Sequence, residues 1–99
     1  MLQTKAFAGT LESNDIYIVI EKRSGEDGIQ IDLESIVLAQ YGSSIRETIM
    51  NVLQAEGVTS GLYIKANDKG ALSCTIEART RTVLGRAGLL KVNLKEDAS

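Results

Sequence analysis

Chemistry in a polypeptide begins with side chains that can move a proton, attack a carbon or hold a metal, and this sequence is poor in them. Its 99 residues include no histidine. That removes Ser-His-Asp and Cys-His arrangements, an imidazole base and histidine metal ligands. The single cysteine, Cys74, permits no internal disulfide and no Cys-x-x-Cys site, which suits a reducing compartment. A reactive thiol needs neighbouring cations to lower its pKa, whereas a lone cysteine most often behaves as a small buried hydrophobe, so Cys74 reads as structural. The acidic pairs Glu26-Asp27 and Asp32 with Glu34 lack calcium-loop spacing and read as solvated faces, so no metal site is expected. Lys69-Gly70 lacks the other residues of a P-loop, and no G-x-G-x-x-G occurs. No catalytic residue is assigned.

What remains is a set of cations and one serine. Arg79 and Arg86, seven apart, fall on one face if their segment is helical. With Lys65, Lys69, Arg81 and Lys91 they give residues 61 to 91 a net charge of +4. Such a stretch is a candidate for docking an acidic partner or a phosphate-bearing group, although charge alone favours an ordinary solvated face. The whole chain carries 11 bases against 13 acids, with the first fifty residues at −4 and the remainder at +2. That balance argues against a dedicated nucleic-acid binder, and one Phe, three Tyr and no Trp leave no stacking platform. Ser13 lies within Glu12-Ser13-Asn14-Asp15, a cluster of turn formers, where by itself it is only an exposed turn residue.

The elements that must position these residues follow from periodicity. Lys5 to Leu11 and Ile16 to Glu21 read as two strands of a hairpin with Ser13 at its tip. Five consecutive apolar residues, Ile16 to Ile20, predict an interior strand covered on both faces. After the polar turn from Lys22 to Gly28, Ile29 to Glu34 alternates strictly and predicts a half-exposed strand. Ile45, Ile49, Val52 and Leu53 then form a helical stripe, with Ser44 and Glu47 at capping-box spacing and Gly57 as the stop. Ile36 to Tyr41 belongs either to an earlier turn of this helix or to a separate one bent at Gly42. Leu62 to Ala66 reads as a fourth strand ending in the turn Asn67-Asp68-Lys69-Gly70. Leu72, Ile76, Val83 and Ala87 have helical spacing with Gly88 as cap, while Thr75, Thr80, Thr82 and Gly85 leave a return strand over residues 71–79 as the alternative. The polar tail after Val92 is expected to fray. The order indicates one domain over residues 1–99, an α+β fold with a small, mainly antiparallel sheet and two helices packed on it. No apolar run has transmembrane length and the N-terminus lacks a leader's apolar region, so a cytoplasmic protein that binds neither membrane nor nucleic acid is expected.

Three segments then carry a resemblance. Ala8-Gly9-Thr10-Leu11-Glu12-Ser13-Asn14-Asp15 and Asn67-Asp68-Lys69-Gly70-Ala71-Leu72-Ser73-Cys74 resemble the two signatures of the citrate lyase acyl carrier protein family. Tyr41-Gly42-Ser43-Ser44-Ile45-Arg46 resembles the family between them, and the likeness spans nearly the whole chain. Asn14, where a smaller residue is common, and Ser73, where an acidic one is common, depart from the pattern. The resemblance implies a non-catalytic carrier, the γ subunit of citrate lyase. Its attachment serine, matched by Ser13, is joined through a phosphodiester to 2'-(5''-phosphoribosyl)-3'-dephospho-CoA. The thiol of that group bears acetyl and citryl while citrate is cleaved to acetate and oxaloacetate. The implied partners are the α subunit as acyl transferase, the β subunit as citryl lyase with its own Mg²⁺ chemistry, and the transferase that attaches the group. A malonate decarboxylase carrier uses the same type of group and is an alternative, with the Asn67 to Cys74 signature favouring citrate lyase. An unmodified interaction module is the alternative from another class.

The better-known acyl carrier proteins are acidic four-helix bundles with an Asp-Ser-Leu site. No such motif occurs here, and the α+β expectation stands. A carrier needs no general base, because its cofactor supplies the reactive atom. An arm that raises effective concentration between active sites must leave from an exposed tip such as Ser13. On this reading the stretch from Lys65 to Lys91 is a candidate docking face or counter-charge for the arm, and Cys74 is not the working sulfur.

Overall fold

The computed structural model describes residues 5–23 and 28–90, apart from the side chains of residues 38 and 39. The expected polar turn lies partly, and the tail after Val92 wholly, outside the described residues. Four strands and two helices follow the order β1 (Lys5–Gly9), β2 (Ile16–Lys22), β3 (Ile29–Ser35), α1 (Leu38–Ala55), β4 (Leu62–Asp68), α2 (Ser73–Arg86). The sheet order is β1-β2-β4-β3. β1 and β2 form the expected antiparallel hairpin, with Ala6 opposite Ile20 and Ala8 opposite Ile18. β2 also pairs antiparallel with β4, whereas β3 runs parallel to β4 through a crossover made by α1. The fold is therefore α+β with a mostly antiparallel sheet, and it is not a helical bundle.

Alternation decides which sheet face carries the helices. Ile16, Ile18 and Ile20 of β2, Leu62, Ile64 and Ala66 of β4, and Ala6 and Ala8 of β1 are all buried beneath them. Burying each isoleucine contributes about 1.5–3 kcal/mol. From above, α1 inserts Ile45, Ile49, Val52 and Leu53, and α2 inserts Ile76, Thr80, Val83 and Leu84. The small residues of β1 leave room for α2 to lie close over the hairpin. The other face of β2 departs from expectation. Tyr17 and Val19 are only half-buried there, shaded by cross-strand neighbours such as Phe7 and Lys65, and no described helix covers them.

Both helices settle questions that periodicity left open. α1 is continuous from Leu38 through a buried Gly42. Ser44 and Glu47 are consequently interior positions and form no capping box. Ser44 instead offers its carbonyl to the Thr48 hydroxyl at 2.9 Å. α1 ends at Ala55, and Gly57, just past the Glu56 cap, has a φ of +77° that suits a left-handed stop. The segment after Ala71 is helix and not a return strand. Thr80 and Thr82 are accommodated because their hydroxyls donate to the carbonyls of Ile76 and Ala78 at 2.7 and 2.9 Å, while Thr80 packs in the core. Burial of one helix face outweighs their weak propensity.

Candidate functional site

The Ser13 loop begins where β1 is forced to stop. Gly9 has a φ of +92°, and a Cβ there would lie 1.8 Å from the Ile16 carbonyl oxygen. Only glycine fits, so the strand ends two residues before the expected Leu11. Residues Thr10 to Asn14 are exposed, and the chain turns back through Asn14 at a left-handed φ of 65°. Asparagine is one of the few side chains that tolerates this region, which accounts for its presence beside Ser13. The Ser13 side chain takes no part in the loop's hydrogen bonds.

Below the tip the loop is tightly held. Asp15 is buried and accepts from the Thr10 hydroxyl and the Ile16 N–H, each at 2.7 Å. Arg79 of α2 grips the same carboxylate with Nε at 3.0 Å and Nη2 at 2.8 Å. This two-point contact lowers the Asp15 pKa well below the ordinary carboxylate range, against the opposing effect of burial and with further help from Thr10 and Ile16. Its counterpart, Arg79, is shifted upward by the same bonds. The Asn14 N–H donates to the Lys69 carbonyl, and the Lys69 N–H donates to the Asp15 carbonyl, both at 2.8 Å. These two bonds prolong the β2–β4 ladder into the loops.

The second signature is organised by Asp68, 1% exposed at the end of β4. Its Oδ2 accepts from the Ser35 hydroxyl at 2.8 Å and the Gly70 N–H at 3.1 Å, and its Oδ1 from the Ala71 N–H at 2.9 Å. Ser35 in turn accepts from the Val37 N–H at 3.1 Å, which ties in the start of α1. One polar chain thus joins the Ser13 loop, the β4–α2 loop and the entry to α1. All three segments that carry the resemblance meet at this end of the sheet. Between the N-terminal half of α1 and the start of α2 lies a groove of about 310 Å³ that includes Tyr41, Ile45, Leu72 and Ile76.

Other expectations need correction. The cations of the basic stretch do not form one face. Arg79 is committed to Asp15, and Arg86 donates to the Phe7 carbonyl at 2.9 Å. Arg81 lies 3.7 Å from Glu56 and 3.9 Å from Glu77, Lys65 points to the opposite, open face of the sheet, and Lys91 lies outside the described residues. Cys74 is exposed in the first turn of α2, because Ile76 and Thr80 take the core-facing positions. Sequence reasoning missed Arg79 as a loop clamp and Asp68 as a hub. Arg79 and Asp15 are 64 residues apart and leave no local pattern, whereas the bonds from Asp68 to Gly70 and Ala71 are those of the turn the sequence predicted, and only its link to Ser35 was hidden. Among the described residues no cluster of three His, Cys, Asp or Glu side chains could hold a metal, and no helix is long and apolar enough to cross a membrane.

Comparison with known proteins settles the kinship. A family profile described as the malonate decarboxylase delta subunit, an acyl carrier protein, matches residues 3–87. The citrate lyase acyl carrier protein of Lactobacillus acidophilus is 51% identical over 86 residues, covering 87% of this chain and 86% of that one. The protein of the same name from Streptococcus uberis is 50% identical over 97 residues, covering 97% of this chain and 92% of that one. This chain belongs to the citrate lyase acyl carrier protein family. Family membership supports an acyl carrier role within a multi-subunit lyase, with a covalently attached prosthetic group.

Solved structures extend the fold relation. A chain of a Pseudomonas malonate decarboxylase hetero-tetramer in complex with malonate aligns with a TM-score of 0.57 at 21% identity, covering 85% of this chain and 84% of that one. Part of a homoserine kinase from Cytophaga hutchinsonii aligns with a TM-score of 0.60 at 11% identity, covering 97% of this chain but 39% of that one. At such identities only the fold is shared, and a fold that also occurs within a kinase leaves function to the site.

Proposed function

We propose that this chain is the acyl carrier subunit of citrate lyase in the cytoplasm, with 2'-(5''-phosphoribosyl)-3'-dephospho-CoA joined to Ser13 through a phosphodiester. The observation that carries this reading is an exposed serine hydroxyl on a loop whose foot is clamped from two directions. The attached group supplies the thiol that bears acetyl and citryl. Ser13 fits such a group: its side chain is open to solvent, and of its two acidic neighbours Asp15 is already neutralised by Arg79.

The work of the chain's own residues is positional. Asp15, Arg79 and the Asn14–Lys69 bond fix where the arm departs, and the tip keeps it clear of the core strands. Acyl transfer and citryl cleavage belong to the α and β subunits, and attachment belongs to a dedicated transferase. Ser13 is an attachment point and no catalytic residue is assigned to this chain.

The family description and the Pseudomonas complex favour a malonate decarboxylase carrier as the second reading. Relatives named for citrate lyase, matched over 86% and 92% of their length at 51% and 50% identity, favour the first. Intact mass of the protein purified from its natural host tests the carrier role. The expected result is a covalent adduct of the stated group that disappears in Ser13→Ala. An unmodified mass, together with full lyase activity of the Ser13→Ala complex, would falsify it. Retention by citrate lyase α and β subunits, and not by decarboxylase subunits, separates the two carriers.

A further inference from the structure

The groove beside the Ser13 loop has its own chemistry. Ile45 and Ile76 line it from buried positions, while Tyr41 and Leu72 on its rim are 53% and 70% exposed. Ile36, 67% exposed, adjoins it at Gly70. Three of the five large hydrophobics exposed among the described residues therefore gather around one depression. The groove borders the attachment loop at Gly70. A Cβ on Gly70, which lines the groove, would stand 3.7 Å from both Asn14 Oδ1 and Ile36 Cδ1. Asn14 directly follows Ser13.

Size and charge narrow the occupant. At roughly 30 Å³ per water-sized group, the 310 Å³ holds about ten such groups, which matches an acetyl thioester with the cysteamine unit behind it. No lysine or arginine among the described residues lines the groove. Its charged side chain is Asp68, whose oxygens already accept three hydrogen bonds. A neutral acyl group can be desolvated here at little cost. The carboxylates of a citryl group would lose water beside Asp68 and gain no cation.

We propose that this groove shelters the acetyl thioester end of the Ser13-linked arm and excludes the citryl form, an assignment that rests on the carrier reading above. The walls shield the thioester carbon from water between turnovers, and exchange of acetyl for citryl releases the arm toward the partner that cleaves it. The protein would thus sort the two acyl forms by charge.

The test uses the carrier bearing its arm, verified by intact mass, in three states: free thiol, acetylated, and glutarylated as a carboxylate-bearing probe. Methyl NMR signals of Ile45, Leu72 and Ile76 are expected to shift on acetylation and to return toward the thiol positions on glutarylation. Hydrolysis of the acetyl thioester should be several-fold faster in Ser44→Trp, in which an indole from the exposed edge of α1 fills the groove. With the arm present by mass, groove methyls that ignore acetylation, equal shifts for both acyl groups, or equal hydrolysis rates overturn the groove assignment and leave the carrier reading intact. A bare mass from the natural host overturns both.

Discussion

Two polar clusters with hydrogen bonds of nearly equal length lie on different parts of the sheet and do different work. At the Ser13 end, Arg79 holds Asp15 at 2.8 and 3.0 Å. On the open face, the Tyr63 hydroxyl donates to Asp32 at 2.7 Å, and the Arg23 guanidinium lies 4.4 Å from the Tyr63 ring centroid. Distance does not separate them; burial and connectivity do. The Asp15 side chain is 12% exposed and joins the loop to a helix 64 residues away, adding a contact to α2 that the two backbone bonds between this loop and Lys69 do not supply. Asp32 is exposed, and its strand is already locked to β4 by the parallel register of Gln30 with Tyr63 and Asp32 with Lys65. Charge contacts matter most where backbone pairing is sparse, and at the Ser13 end the Arg79–Asp15 contact supplements two ladder bonds by tying the loop to α2.

The sharpest way to break the comparison is at the start of the Ser13 loop. Gly9→Ala drives a Cβ into the Ile16 carbonyl at a positive φ, and a loss of at least about 3 kcal/mol is expected in denaturant unfolding. Next, Arg79→Ala leaves a buried carboxylate without its cation. Because the guanidinium is 38% exposed and partly screened, the expected loss is about 1–3 kcal/mol, less than for a wholly buried pair. That loss carries a pH signature. The Asp15 pKa is lower in the folded state than its ordinary 3.8, so the pair's stabilisation is complete above that range and declines as acid protonates the folded carboxylate. The difference in Tm between wild type and Arg79→Ala should therefore be constant near neutrality and shrink below about pH 4. The smallest effects belong to the open face. Tyr63→Phe should leave Tm unchanged within error. Ultraviolet titration of wild type should nonetheless place the Tyr63 phenol above its ordinary pKa, because it donates to Asp32, and Asp32→Asn should bring it back. A Tyr63→Phe loss as large as that of Arg79→Ala would erase the distinction.

Local pattern made much of the fold legible and left the site half hidden. Strict alternation at Ile29, Ile31 and Leu33, the Ile45–Leu53 stripe and the Ile76–Val83 spacing identified β3 and both helices, because one-sided burial writes a period into sequence. Strand order was not legible. The parallel docking of β3 on β4 depends on a crossover that no short window contains. The false capping box at Ser44 has the same origin, since Val37 and Ser35, upstream of the stripe, set the start of α1. Turn chemistry was enough to predict that Ser13 stands exposed on a loop. The Arg79 clamp and the link from Asp68 to Ser35 emerge only when distant segments meet, whereas the exposure of Cys74 follows once the segment is helix with Ile76 and Thr80 facing the core.

The central claim is that Ser13, and no neighbouring hydroxyl, carries the arm. Cleavage after Lys5 and Lys22 releases the peptide spanning 6–22, which holds Thr10, Ser13 and Tyr17 as candidate acceptors. Fragmentation of this peptide from protein made in its natural host should place the phosphoribosyl dephospho-CoA mass on Ser13. An unmodified peptide there, or the same mass on Thr10 or Tyr17, contradicts the account.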